Sequence, residues 1–232
     1  TNFVLMEYGQ PLHAFDRDLL KSSNIIIRRA VKGEAFVGLN GSALRLTEDA
    51  LIVADAEKPI ALAGIMGGVN SQVTDSTRNI ILESASFDPI VVRKGSKKYG
   101  LRSDSSIRFE RGVDIEGVIH AQARAALLIR DLAGGKILKG RVDVYPCPLK
   151  IKTVPLRISR LNKVLGCSLS SRKVENYLTR LGMKFSITSI FSVAIFTFLL
   201  KLVSKTNNKL YCFCYQVFVQ NFKRNLLELY EN

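Results

Sequence analysis

Asn24–Asp55, NIIIRRAVKGEAFVGLNGSALRLTEDALIVAD, decides the fold. It resolves into four short runs rich in Ile, Val and Leu, at 24–30, 35–39, 43–47 and 51–55, each closed by turn-forming residues. Runs of this length and composition read as β-strands. Asn40-Gly41, between the second and third, predicts a two-residue hairpin turn of type I′, which needs positive φ at both central positions. NIILESA (79–85) supplies a fifth strand. Between them Gly64-Ile-Met-Gly-Gly68 breaks the pattern; its glycines either turn a corner or let backbone come close to another chain or a ligand.

Helices follow the strands. Asp88-Pro89 is an N-cap followed by proline at the first helical position, and predicts a helix that stops at Gly100 after Tyr99. Asp114 is expected to cap a longer, alanine-rich helix, Ile115 to Leu132, closed by Gly134-Gly135. Val118, Ile119, Ala126, Ile129 and Ala133 share its expected buried stripe. KILKGRVDVYP (136–146) reads as a final strand. Strands first, with helices packed on them, give an α+β fold with mixed or antiparallel sheets.

Residues 151–185 change character. PLRISRLNKVLG and SSRKVENYLTRLG predict two short helices, the second capped by Ser170 or Ser171, each ending on glycine. Residues 186–232 contain no Gly, Pro or Asp, yet hold 6 of the 12 phenylalanines. The apolar run 187–200 is 14 residues long, short of the roughly 20 that a membrane span needs, and reads as a buried or amphiphilic helix or as a poor transmembrane candidate. The loss of turn punctuation suggests a readthrough or frameshifted tail. The opening TNFVLMEYG has no basic signal region and no initiator methionine, and suggests a fragment whose beginning lies upstream.

The net charge is +14, unevenly spread. Residues 1–150 hold 21 Lys and Arg against 17 Asp and Glu, whereas 151–185 hold 8 against 1. Such a concentration suits a polyanion-binding surface or a solvated basic helix face. A hydrophobic share of 47% excludes a disordered chain. Cys147, Cys167, Cys212 and Cys214 are too few and too irregular for a disulfide framework, and a reduced cytosolic setting follows.

Candidate chemistry is sparse. His120 falls inside the alanine-rich helix and reads as a surface residue; His13, in GQPLHAFD, has a loop-like setting where its ring can face a cavity. Ser103, Ser105 and Ser106 lack a G-x-S-x-G elbow, and only a distant His13 could activate them. No H-E-x-x-H, Cys/His cluster, Walker loop or G-x-G-x-x-G is present. Glu83 is an acid inside an apolar strand, either a pocket carboxylate or an outward-facing one.

GQPLHAFD, IALAGIMGG, DSTRNIILESASFDP and GLRSDSSIRFERGVD together resemble the β subunit of bacterial phenylalanyl-tRNA synthetase, in its B3/B4 domain. The likeness covers residues 1–148; residues 149–185 resemble the beginning of the B5 domain, and 186–232 are unmatched. The resemblance implies an editing domain that hydrolyses tyrosine mischarged onto phenylalanine tRNA. It implies that His13 and Ser103 position the attacking water, and that Gly67, Glu83 and Ser105 line the amino-acid pocket, with Glu83 on the tyrosine hydroxyl. Ser103 stands where the family usually has Thr, and Ser105 where it usually has Ala. Arg108, Glu110 and Arg111 are then expected as ion pairs beneath the pocket. The partners implied are tRNA(Phe) and an α subunit in an α2β2 heterotetramer, in the cytoplasm. ATP and Mg²⁺ belong to the complete synthetase, mainly to its α subunit, and this portion needs no cofactor. The alternative is an inert RNA- or subunit-binding fragment.

Overall fold

The computed structural model describes residues 1–22, 24–146, 148 and 154–188, and the strand backbones at 191–194 and 212–220. In chain order the elements of the first part are α1 (Asn2–Tyr8), β1 (Leu12–Asp16), β2 (Ile26–Arg29), β3 (Ala35–Val37), β4 (Ala43–Arg45), β5 (Leu51–Ala54), β6 (Pro59–Leu62), β7 (Met66–Gly67) and β8 (Ile80–Phe87). Then come α2 (Pro89–Tyr99), α3 (Asp104–Phe109), α4 (Gly117–Ala133), β9 (Lys136–Ile137) and β10 (Val142–Val144). The remainder holds β11 (Val154–Pro155), α5 (Ile158–Leu165), α6 (Ser171–Arg180), β12 (Ser186–Thr188), β13 (Phe191–Ala194) and β14 (Cys212–Gln220). The chain divides into two compact units, Thr1–Cys147 with Val203–Asn232, and Pro148–Leu202.

The first unit is α+β, as expected. One sheet runs β1-β8-β14-β10 with β9 also on β14, a second runs β2-β5-β6-β7, and β3-β4 form a separate hairpin; every pairing is antiparallel. β8 is the strand that organises the site. All eight of its residues are buried, because both of its faces are covered. Side chains alternate along a strand. Ile81, Ala85 and Phe87 therefore join the larger core, with β5, β6, Val92 and Phe109, while Ile80 and Leu82 join a second core under α1 and α4. On that second face the Ser84 hydroxyl donates to the Val118 carbonyl, and the Gln122 amide donates to the Leu82 carbonyl.

The local signals worked where caps decide. Asp88 accepts from the Ile90 and Val91 amides, Pro89 opens α2, and Gly100 closes it in the left-handed region at φ 64°. The Asn40-Gly41 turn differs from expectation. The Gly41 amide bonds to the Gly38 carbonyl, so Leu39 and Asn40 are the central pair, and the Gly38 amide bonds to the Ser42 carbonyl. This is a three-residue loop with Gly41 as its left-handed residue, at φ 80°. The Leu39 amide at its tip donates to the Gly67 carbonyl.

Asp114 also differs. It caps the turn ahead of α4, accepting from the Glu116 amide, and the helix begins at Gly117 with no side-chain cap. Of the expected stripe, Val118, Ala126 and Ala133 are buried, with Ala121, Gln122 and Ala125 beside them; Ile119 and Ile129 are half-buried. The expected final strand is two short ones, β9 and β10, both paired with β14.

In the second unit α5 ends at Gly166 and α6 is capped by Ser170, whose hydroxyl accepts from the Lys173 amide. Val174 and Leu178 bury against Leu161, Leu169, Met183 and Phe185. The apolar run expected as a helix is strand where it is described, in the antiparallel pair β12 and β13. Its residues 189–190 and 195–200 lie outside the described residues, as do the side chains of Cys147, Cys212 and Cys214; Cys167 is exposed and unbridged. Among the described residues no helix is long and apolar enough to cross a membrane.

Candidate functional site

His13 lies on a strand, not a loop. Pro11 has no N–H to give to β8, and the Gln10 side-chain amide donates instead to the Ala85 carbonyl at 2.7 Å. β1 then pairs in register with β8, Leu12 opposite Ser84, His13 opposite Glu83 and Phe15 opposite Ile81. Residues directly opposite share a face. His13 and Glu83 therefore point to the same side, toward the larger core, where Phe15 stacks edge-on against the imidazole at 4.6 Å between ring centres.

Both groups open onto one cavity of about 60 Å³, lined also by Gly64, Ile65, Gly67 and Ser105. That space holds several waters. Glu83 is only 6% exposed, and burial alone raises its carboxyl from the ordinary value to about 7. No hydrogen bond or ion pair from the described residues offsets that burial. A buried acid of this kind is held partly protonated near neutral pH and is available to a hydroxyl. Burial lowers His13 to about 4, so the ring is neutral, and its Nε2 is buried without a hydrogen-bond partner among the described residues.

The cavity floor needs glycine. A Cβ at Gly67 would stand 2.7 Å from His13 Nε2 and closer still to Cε1, and one at Gly68 would stand 2.7 Å from the Ile60 carbonyl oxygen. Gly64 has φ +69° and its Cβ would meet Phe87 Cδ2 at 2.8 Å. These close approaches, rather than loop flexibility, explain the glycine-rich 64–68 segment.

α3 forms the facing wall. Ser103 is its N-cap: the hydroxyl accepts from the Ser106 amide and donates to the Ile65 carbonyl at 2.7 Å, and Ser106 reciprocates with the Ser103 amide. Ser103 so carries its one donor to the backbone of a cavity-lining residue, with a lone pair left over. Ser105, two residues on, is half-buried in the lining, and its hydroxyl has no hydrogen bond among the described residues. Of the expected ion pairs beneath the pocket, Arg108 alone pairs, with Asp104 at 3.8 Å on the exposed side of α3. Glu110 and Arg111 follow the helix end and reach no opposite charge among the described residues. His120 is exposed on α4.

Residues 1–134 match the B3/4 domain family. This chain belongs to the B3/4 domain family. Its curated relatives are phenylalanine–tRNA ligase β subunits, so the resemblance drawn from the motifs holds. The subunit of Geobacter metallireducens is 49% identical over 187 residues, that of Geobacter sulfurreducens 50% over 175, and that of Carboxydothermus hydrogenoformans 49% over 187. These alignments take in 81%, 75% and 81% of this chain but only 23%, 22% and 23% of the relatives. The chain spans less than a quarter of the curated relatives it matches. A solved N-terminal fragment of the Pyrococcus horikoshii subunit is 16% identical, with a TM-score of 0.37 over 84% of this chain and 56% of that one, too loose a likeness to support any argument.

The B3/4 domain thus brings four of the five expected residues to one cavity, His13, Gly67, Glu83 and Ser105, with Ser103 immediately behind its wall. Sequence reading missed Phe109, Ile65 and Gln10. Phe109 and Ile65 complete the apolar lining, and nothing in their local pattern separates them from core residues. Gln10 had a signal: an amide side chain next to a proline at the start of a strand.

Proposed function

We propose that this chain is part of a phenylalanine–tRNA ligase β subunit, and that its B3/4 cavity hydrolyses the ester of tyrosine mischarged onto tRNA(Phe). The observation that carries this reading is Glu83, a buried carboxyl with no partner among the described residues, directly opposite a neutral His13 whose Nε2 is buried. A phenol hydroxyl supplies the hydrogen bond Glu83 lacks. A phenylalanyl side chain leaves it unpaired, at a cost of about 1–3 kcal/mol, or roughly 5- to 150-fold.

The aminoacyl ester is already activated, so the chemistry asks for a placed water more than for a strong base. A ring with a value of about 4 is a weak base, but its free nitrogen lone pair can hold a water by accepting its hydrogen. The water oxygen attacks the ester carbonyl carbon, the bond to the ribose oxygen breaks, and that oxygen takes the proton. Tyrosine and intact tRNA leave. Ser103 contributes by fixing the Ile65 carbonyl and the start of α3, and through its remaining lone pair.

In the complete synthetase the β subunit would pair with an α subunit as α2β2 in the cytoplasm, where ATP and Mg²⁺ serve phenylalanine activation. None of the residues argued here is assigned to those groups. The basic second unit fits RNA phosphates, which supply affinity without catalysis. The test is Glu83→Ala in the intact synthetase. Clearance of tyrosyl-tRNA should fall while phenylalanine charging is unchanged; equal deacylation by variant and parent refutes the assignment. Deacylation by the full-length subunit but not by this chain would mark the chain as an inert RNA- or subunit-binding piece.

A further inference from the structure

We infer that the outer face of α2, continued by Arg102, is the track along which the phosphate backbone of the RNA 3′ end approaches the cavity. The inference rests on the editing reading of that cavity for the direction of approach.

α2 carries Arg93, Lys94, Lys97 and Lys98 and no acidic residue. At about 3.6 residues per turn these four fall on one arc, opposite the buried Val92 and Ser96. All four are exposed. Arg93 lies four residues from Lys97, and Lys94 four from Lys98, a spacing at which like charges repel and weaken a helix. A face kept only for solubility would mix signs. Lys98 alone is neutralised, by Asp49 at 2.7 Å, and Arg93, Lys94, Lys97 and Arg102 have no ion pair among the described residues.

The face is also next to the site. A Cβ on Gly95 would come within 2.8 Å of Ile65 Cδ1, and Val92 packs on Gly64; Ile65 and Gly64 both line the cavity. Glycine in mid-helix brings α2 that close. Arg102 is exposed one residue before Ser103, which caps the helix that carries Ser105 into the lining. The cations therefore run from the outside of α2 to the cavity rim. A helix with its side chains is about 10–12 Å across. A stacked strand advances about 3.4 Å along its axis per phosphate, so that width corresponds to roughly three nucleotides from the ester.

RNA fits this face better than a lipid surface does. A helix that lies in a bilayer interface needs a free apolar face, whereas the apolar side of α2 is already in the core.

The experiment measures binding of an uncharged tRNA(Phe) transcript to the full chain across a salt series. The variant is Lys94→Gln with Lys97→Gln and Arg102→Gln; the charge-matched control is Lys32→Gln with Lys136→Gln and Lys139→Gln, none of them on α2. Each single-strand phosphate contact contributes about 0.7 to the slope of log affinity against log salt. The α2 variant should lower the slope by about 2 and weaken binding at least about tenfold at low salt, while the control stays near the parent. The exposed substitutions should leave the melting temperature at or above the parent's. Equal slopes for parent and α2 variant overturn the inference, as does loss of binding to anionic phospholipid vesicles with RNA affinity unchanged. Because the transcript carries no ester, failure of the editing reading shows separately, as a parent chain that binds RNA but leaves tyrosyl-tRNA intact.

Discussion

His13 and Glu83 are directly opposed partners in the β1–β8 ladder, and burial drives their titrations in opposite directions. Desolvation disfavours the charged form of each, so the acid holds its proton longer and the base releases it sooner. The cavity is thereby furnished with two uncharged polar groups in slightly acidic solution. Each lacks a hydrogen-bond partner among the described residues at the atoms that face it.

This opposition predicts a pH signature. Folded Glu83 titrates at about 7 against an ordinary 4.5, so its contribution to stability falls as pH rises from about 4.5 to 7. Folded His13 titrates at about 4 against 6.5, so its contribution is lost as pH falls through that window. Either span amounts to about 3 kcal/mol at most, and from pH 4.5 to 6.5 the slopes cancel in the parent. Relative to the parent, Glu83→Gln should gain stability as pH rises from 4.5 to 7. His13→Asn should gain as pH falls below 6.5. Urea denaturation at a series of pH values reads both. Parallel curves for all three proteins would show that neither group is desolvated.

Gly67→Ala tests the floor. Its methyl would displace the imidazole, since the position 2.7 Å from Nε2 leaves no room for a carbon. Overpacking of this kind costs about 1–3 kcal/mol. Tyrosyl-tRNA deacylation should lose kcat while transcript affinity is kept, because the cations of α2 are untouched. A variant with parental kcat would mean that His13 is not held where the water must be.

How far these relationships were legible depends on their range. Asp88, Pro89 and Gly100 announce α2 because a helix end is satisfied by its own neighbours, and the apolar runs announce β5 and β8 because strands buried on both faces are apolar along their length. The place of Glu83 was open in the sequence, since whether its side of β8 meets solvent depends on other elements, β5, β6 and Phe109, that cover the strand. His13 read as loop because Pro11 removes a ladder donor, and the compensating Gln10 amide acts at a sequence separation of 75. Asp114 looked like a helix cap because an aspartate that caps a turn and one that caps a helix leave the same trace. The family motifs located the site residues; the register of β1 on β8 explains why two of them meet.

Ser103 separates a structural role from a chemical one. Ser103→Ala removes the α3 cap and the donor to the Ile65 carbonyl, and should cost about 1–2 kcal/mol. Ser103→Thr keeps both bonds and should restore stability and deacylation together. Denaturation and deacylation rates of the two variants check this. Activity lost in Ser103→Ala at parental stability would place the hydroxyl on the water instead.

Ser105 is the remaining polar atom of the wall, and its effect is on selectivity. Its hydroxyl is half-buried, without a hydrogen bond among the described residues, so Ser105→Ala should change stability by no more than about 0.5 kcal/mol. In a filled cavity the situation changes. An apolar ring strips water from both Glu83 and Ser105 and satisfies neither, while a phenol hydroxyl can donate to Glu83 and accept from Ser105. Each unpaired group costs about 1–3 kcal/mol. Removing the second should admit phenylalanyl esters more readily. The ratio of kcat/KM for tyrosyl- over phenylalanyl-tRNA should fall by about fivefold or more, with tyrosyl turnover preserved. Deacylation of the two charged tRNAs by parent and Ser105→Ala measures it. An unchanged ratio would leave Glu83 as the group that alone distinguishes the two rings, with the Ser105 hydroxyl still solvated when the cavity is full.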